Sequence, residues 1–94
     1  MSAALSLQIL PGPSFIVEYP GSSVRGPDGD VAMERILDQL GQHLQRLGLI
    51  TTRQTDERLC VFVGDFARRD ELVERTQMWL VAKGCEVSVE RWET

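Results

Sequence analysis

His43 is the side chain best suited to transfer a proton near neutral pH, and it is the only histidine in this 94-residue sequence. A histidine general base needs a nucleophile or a substrate group beside it, and no accompanying motif is present. The carboxylates are dispersed, as on a solvated surface, rather than arranged as a pair that could share acid and base roles. We therefore predict no catalytic residues and no cofactor, and we place His43 at the border of an apolar helix face.

Cys60 and Cys85 are the two cysteines, and each lies inside an apolar run that is typical of a strand. Neither belongs to a Cys-x-x-Cys motif or to a Cys/His spacing that would indicate zinc, so we predict no metal site. Free cysteine behaves as a small hydrophobic residue, and the pattern favours two buried, reduced thiols. A structural disulfide is the weaker alternative.

The segment 21–30 is rich in glycine and proline and precedes a predicted helix, whose free backbone N–H groups could hold a phosphate. Its glycine spacing matches neither a P-loop nor a dinucleotide-binding fingerprint, and Asp28 and Asp30 would repel an anion. Two aspartates also provide too few ligands for calcium. We expect an exposed connection with Asp30 as the helix N-cap, and whether this loop has a function stays open.

The formal net charge is −4, and the basic residues are scattered apart from the adjacent pair Arg68 and Arg69. Nucleic-acid binding depends on a clustered positive field, so we expect no nucleic-acid partner. No apolar run is long enough to cross a bilayer, and residues 1–4 lack the basic and apolar regions of a signal peptide. We expect no membrane association and a cytoplasmic location.

The composition, 43% hydrophobic and 26% charged, is typical of one folded domain over residues 1–94. Apolar spacings of three and four residues predict one helix from Asp30 to Gly48. A second helix is predicted over residues 67–83, capped by Asp65 and closed by Gly84. Apolar alternation and β-rich composition predict strands at residues 5–9, 15–19, 49–53, 59–63 and 85–92.

This order of elements reads βαββαβ once the first strand is taken as an addition. With right-handed crossovers it predicts an α+β, ferredoxin-like sandwich, in which two helices cover one face of a four-stranded antiparallel sheet. The runs at 15–19 and 59–63 are the most apolar and should be the central strands, whereas the more polar runs at 49–53 and 85–92 should be the edges.

The residues at 61–66 read VFVGDF and are followed by a predicted helix and a final strand. This strand–Gly–x–Phe turn resembles the second half of sporulation-related-repeat (SPOR) domains, over about the last third of the chain. The resemblance implies a βαββαβ fold and binding to septal peptidoglycan. A long loop stands in the first half where that family has a tight turn.

Apolar residues exceed what a single core needs at two places. In the second helix, the run 78–81 covers more of the circumference than one core-facing stripe, so Met78 or Val81 should face outwards. On the sheet face away from the helices, alternation groups apolar with polar residues, namely Ile16, Phe62 and Trp92 with Glu18, Cys60 and Glu90.

We therefore predict Ile16, Phe62, Met78, Val81 and Trp92 as partner-binding residues. The alternative for the sheet face is that the N-terminal strand or a subunit partner covers it.

The leading hypothesis for function is a non-enzymatic protein-interaction or regulatory module that acts through the open sheet face or the second helix, with a homodimer as one form. The alternative from another class is a small-ligand-binding regulatory domain of ferredoxin-like type, with its site at the helix N-termini or in a dimer groove. A SPOR-like peptidoglycan-binding module is a further alternative, and an enzyme ranks after these.

Overall fold

The computed structural model describes residues 4–19, 27–55 and 57–92, and it describes the side chains of all of these except 27–34. Most of the segment 21–30 therefore lies outside the described residues. Five strands and two helices follow one another in the predicted order: β1 (Ala4–Ile9), β2 (Ser14–Glu18), α1 (Pro27–Arg46), β3 (Ile50–Thr55), β4 (Arg58–Phe62), α2 (Phe66–Ala82) and β5 (Glu86–Arg91).

The strands form one mixed sheet in the order β3-β4-β2-β1-β5. Strand β1 pairs antiparallel with β2 and parallel with β5, whereas the β2–β4 and β3–β4 pairs are antiparallel. The α+β class is confirmed, but the predicted four-stranded antiparallel sheet with an added strand is not. Instead, β1 is inserted between β2 and β5, where a ferredoxin-like sheet would pair these two strands directly.

The insertion of β1 follows from its short connection to β2 and from its apolar side chains. The turn after Ile9 is too short for anything but a hairpin, so β1 must lie beside β2, and Leu7 is the partner of Val17. Leu5, Leu7 and Ile9 are all buried, which a central strand achieves and an edge strand does not. Strand β5 then adds to the remaining edge of β1, and β3 and β5 are the edges, as predicted.

Both helices cover the same face of the sheet. Register places Leu7, Val17 and Leu59 in one row on that face, and all three belong to the hydrophobic core. Helices α1 and α2 each contribute three of their leucines and valines to the same cluster: Leu37, Leu40, Leu44, Leu72, Val73 and Leu80. The rings of His43 in α1 and Trp79 in α2 stack with centroids 5.8 Å apart, which joins the helices directly.

Of the four predicted helix ends, three are confirmed and one, the start of α1, is wrong. The Asp65 carboxylate accepts a hydrogen bond from the backbone N–H of Arg68 at 2.9 Å and caps α2. Gly48 and Gly84 both adopt a φ of 88° just beyond the helices. Helix α1, however, begins at Pro27 and not after Asp30, because the fixed φ of proline suits the first helical position.

Neither of the two described helices combines the length and the apolar character that a bilayer span requires.

Candidate functional site

The sheet face opposite the helices, here called the open face, carries the even-numbered residues of the strands, except at the end of β3, where a register shift after Arg53 pairs Thr55 with Arg58. Register makes Ile16 the partner of both Gln8 and Cys60, and it makes Phe62 the partner of Ser14. These side chains therefore share one face, as their alternation predicts. The alternative that the N-terminal strand lies over this face is wrong, because β1 is itself part of the sheet.

Two large apolar side chains lie side by side at the β3 end of the open face. Ile50 on β3 is the cross-strand partner of Phe62 on β4, and their exposed fractions are 63% and 52%. Directly opposed side chains on adjacent strands are in contact range, so the two form one continuous apolar surface. Sequence analysis missed Ile50, although its position opposite Phe62 follows from an antiparallel β3–β4 hairpin.

Trp92 lies at the other end of the open face, immediately after β5, and is 50% exposed. Its backbone N–H donates to the Ile9 carbonyl at 2.8 Å, which continues the parallel pairing. Its indole Nε1–H donates to Oε1 of Gln8 at 3.1 Å. These two bonds fix both the backbone and the ring of Trp92 against the sheet.

Ile16 lies between the two ends of the face but is only 7% exposed. It lies on the central strand β2, diagonal to Phe62 and beside Gln8. Of the three predicted open-face residues, Phe62 and Trp92 are accessible to a partner. Ile16 is buried and offers almost no surface to a partner.

A chain of hydrogen bonds crosses four strands of the open face. From Trp92 it passes to Gln8, whose Nε2 donates to Oε1 of Glu18 at 3.0 Å. The other carboxylate oxygen of Glu18 accepts from Nε of Arg58 at 2.7 Å. Gln8 is nearly fully buried by this arrangement, so its orientation, and with it that of the indole, is fixed.

The open face is acidic. Register places four charged side chains of the described strands there, three carboxylates and one guanidinium: Glu18, Glu86, Glu90 and Arg58. Arg58 pairs with Glu18, and the other two carboxylates, Glu86 and Glu90, lie on the edge strand β5. Cys60 lies on the same face, where burial raises the pKa of its thiol, Arg58 opposes that shift and Glu18 adds to it.

Met78 and Val81 point away from the core on the outer side of α2, and both are exposed. They are three residues apart on the helix and so are neighbours on its surface. Helix α2 packs on the sheet face opposite the open face, so the structure does not bring these two residues together with Phe62 and Trp92. The predicted partner-binding residues thus form two separate surfaces.

The remaining candidate residues have structural surroundings. His43 is half-buried against the Trp79 ring, at the border of the apolar stripe of α1, as predicted. Cys85 is buried and Cys60 is half-buried, and both thiols are free. Among residues 4–19, 27–55 and 57–92, no group of three or more His, Cys, Asp or Glu side chains is arranged to hold a metal ion.

The fold and the open face define an α+β domain with a five-stranded mixed sheet and one face without a helix. No protein-family model, curated protein or solved structure gives a significant match to this chain.

Proposed function

We propose that this chain is a non-catalytic protein-binding domain whose binding surface is the open face of the sheet. One observation carries the proposal: Ile50 and Phe62 are adjacent cross-strand partners, and each exposes more than half of its side chain. Single exposed apolar residues are ordinary on protein surfaces. A contiguous pair on a regular sheet, with an anchored tryptophan on the same face, is the composition that interfaces favour.

The rigidity of the surface supports this proposal. Phe62 is held by strand pairing on both sides of β4, and the Trp92 ring is fixed by its bond to Gln8. A binding surface that is already ordered loses less conformational entropy when a partner docks. Aromatic side chains have only two rotatable bonds, which reduces that loss further.

The charge of the face indicates the chemistry of the partner. Glu90 lies on this face of β5, two residues from Trp92, so a complementary surface would place lysine or arginine beside its apolar residues. The proposed occupant is therefore a different protein that presents an apolar patch bordered by basic residues. A second copy of this chain would bring its own Glu90 to the interface, which makes a homodimer the less favourable occupant.

Selection of peptides from a phage-displayed random library on the immobilised domain would test this proposal. We expect the selected peptides to combine aromatic or aliphatic residues with lysine or arginine. Their affinity for the double variant I50T/F62T should fall at least about tenfold, because truncating two central apolar contacts removes most of the energy of a small interface. Threonine keeps the β-propensity of both strands.

The matched control is the double variant M78S/V81S, which removes two exposed apolar residues from the outer side of α2. It should bind the selected peptides as the wild type does. Equal binding by I50T/F62T and wild type would overturn the assignment of the open face. Sedimentation equilibrium of the domain alone would contradict the proposed occupant if it showed a dimer that I50T/F62T converts to a monomer.

A cytoplasmic location stays a prediction from the sequence.

A further inference from the structure

Strand β3 is one of the two edges of the sheet, and none of the described strands pairs with its outer side. An edge strand can pair with a further strand through its unpaired backbone groups, and charged side chains on the edge discourage this. The other edge, β5, has three such residues among its six, Glu86, Glu90 and Arg91. Strand β3 has only Arg53, and its isoleucine and threonines favour extended structure. Of the two edges, β3 is therefore the less protected.

The hydrogen bonds on the two flanks of β4 show which of its backbone groups face each neighbour. The N–H of Tyr19 donates to the Glu57 carbonyl at 2.8 Å, and the N–H of Val63 donates to the Pro13 carbonyl at 3.0 Å. Both bonds continue the antiparallel pairing of β4 with β2. Because backbone direction alternates along an antiparallel strand, the odd-numbered residues of β4 bond to β2 and the even-numbered residues bond to β3.

The backbone N–H and C=O of Thr51 point away from the sheet. Phe62 is the partner of Ile50, and Cys60 is the partner of Thr52. Since these β4 residues are even-numbered, Ile50 and Thr52 direct their backbone groups to β4. Thr51, which lies between them, directs its own groups outward, where neither has a backbone partner in the part of the chain that the structure describes.

The accessible edge of β3 is short. Before the strand, the N–H of Leu49 donates to the Leu44 carbonyl at 3.2 Å, in the last turn of α1. Towards its other end, the register with β4 shifts between Arg53 and Thr55, and such an irregularity bends an edge strand. The regular edge is therefore the four residues Ile50–Arg53, with Thr51 among them.

We propose that strand β3 binds an extended segment of the partner protein, which adds to the sheet as a short antiparallel strand. This inference rests on the proposed function and specifies how the partner reaches the open face. One residue of the segment exchanges two backbone hydrogen bonds with Thr51. The next residue lies beside Ile50 on the open face, so an apolar side chain there extends the row that Phe62 and Ile50 form.

The hydrogen-bonding chemistry of the edge favours an extended peptide as the occupant. Backbone N–H and C=O groups in this arrangement are matched by another backbone in extended conformation. The side chains of Thr51 and Arg53 face the helix side, where they bond to Gln45 and Asp38, so the segment should be polar on that side. A second copy of this chain would bring its own register shift and helix end to the same short edge.

The peptide of highest affinity from the selection described above is the probe. Its apolar residues should recur at every second position, as in a strand, and not at the spacings of three and four that a helix lying on the face would need. Methylation of one backbone nitrogen at a time should then give an alternating pattern. It should weaken binding about tenfold or more at the residue opposite Thr51 and little at the two adjacent residues, whose N–H groups point away from β3.

Two variants at one position test the same bonds from the side of the domain. T51P removes the outward N–H and leaves the bonds between β3 and β4 in place, so it should weaken binding about tenfold or more. T51V is the matched control: it keeps the N–H and removes the hydroxyl that accepts from Nε2 of Gln45 at 2.8 Å. It should bind as the wild type does. Urea denaturation checks that T51P is folded, and the methylated peptides test the inference without any change to the domain.

The results separate this inference from the proposed function. Equal binding by T51P and wild type, or methylation without an alternating effect, would overturn the strand pairing, and weaker binding by I50T/F62T would then still support the open face. Weaker binding by T51P with no effect of I50T/F62T would support the pairing and overturn the open face. A selection that returns no peptide would contradict both. A dimer in sedimentation equilibrium that T51P dissociates would overturn the peptide as occupant.

Discussion

Nη1 of Arg69 donates a hydrogen bond to the carbonyl oxygen of Gly12 at 2.9 Å and thereby ties the first turn of α2 to the turn between β1 and β2. The same nitrogen donates to the Leu10 carbonyl at 3.0 Å. The guanidinium group also forms an ion pair with the carboxylate of Asp70. It lies over the Phe66 ring, whose centroid is 5.2 Å from the guanidinium carbon. Arg69 is only 5% exposed, so these contacts replace nearly all of its hydration.

Replacing Arg69 with methionine should lower the free energy of unfolding by about 1–3 kcal/mol, because two turn carbonyls lose their donor while the aliphatic stem is largely kept. Urea denaturation would measure the change. R68M is the matched control: Arg68 is exposed and makes one side-chain hydrogen bond, to the Leu47 carbonyl at 3.1 Å. The R68M variant should lose about 0.5 kcal/mol of unfolding free energy or less. Equal losses in the two variants would show that the contacts with the turn do not stabilise the fold.

Replacing Thr76 with valine should stabilise the domain by about 1 kcal/mol. The Thr76 hydroxyl is buried against the core, and it has no hydrogen-bond partner among the described residues. Valine has nearly the same shape and removes an unpaired polar atom from an apolar environment. T52V, at an exposed position of β3, should change stability little. A lower midpoint for T76V in urea would mean that the hydroxyl is satisfied in solution.

The positions of the strands were predictable from local pattern, but the place of β1 in the sheet was not. Ser6 and Gln8 alternate with apolar residues, which is typical of a strand with one solvated face. Both are nevertheless buried, since β1 has neighbours on both sides and Gln8 is enclosed by its bonds to Glu18 and Trp92. Alternation predicts which residues share a face, but the neighbour of a strand depends on long-range pairing.

The candidate sites were predictable to a similar extent. Phe62 and Trp92 share the open face because strand parity is a local property, whereas the adjacent Ile50 was missed because its strand was considered only as a polar edge. In the sequence Arg69 is one of two adjacent basic residues, and its burial follows only from the packing of α2 against the first turn.

Two glycine-to-alanine substitutions should have opposite effects on stability. G84A should destabilise the domain by about 1 kcal/mol, because Gly84 has a φ of 88° and alanine is strained there even though no atom lies within 4 Å of the added Cβ. G41A should stabilise it by about 0.5–1 kcal/mol, since a helical backbone favours alanine. Thermal denaturation of the two variants compares them directly. A shift in the same direction for both would contradict the assigned backbone conformations.

The two thiols should react slowly with alkylating agents at neutral pH. Burial raises the pKa of both Cys60 and Cys85, so at any given pH a smaller fraction is thiolate, the reactive form, than in an unperturbed cysteine. Reaction of Cys60 with iodoacetamide, followed by peptide mass spectrometry from pH 7 upwards, should have its midpoint above the ordinary pKa of a cysteine thiol. Cys85, which is more buried, should react more slowly.

The two charged neighbours of Cys60 predict the direction in which its pKa should change when each of them is replaced. Arg58 lowers the pKa of this thiol and Glu18 raises it. Replacing Arg58 with glutamine should therefore move the alkylation midpoint of Cys60 to higher pH, whereas E18Q should move it to lower pH. Cys85 serves as the internal control, because burial is the resolved cause of its shift and its profile should be the same in both variants. A midpoint that moves in the same direction in R58Q and E18Q would show that a change of packing, rather than the charges on the open face, governs the thiol.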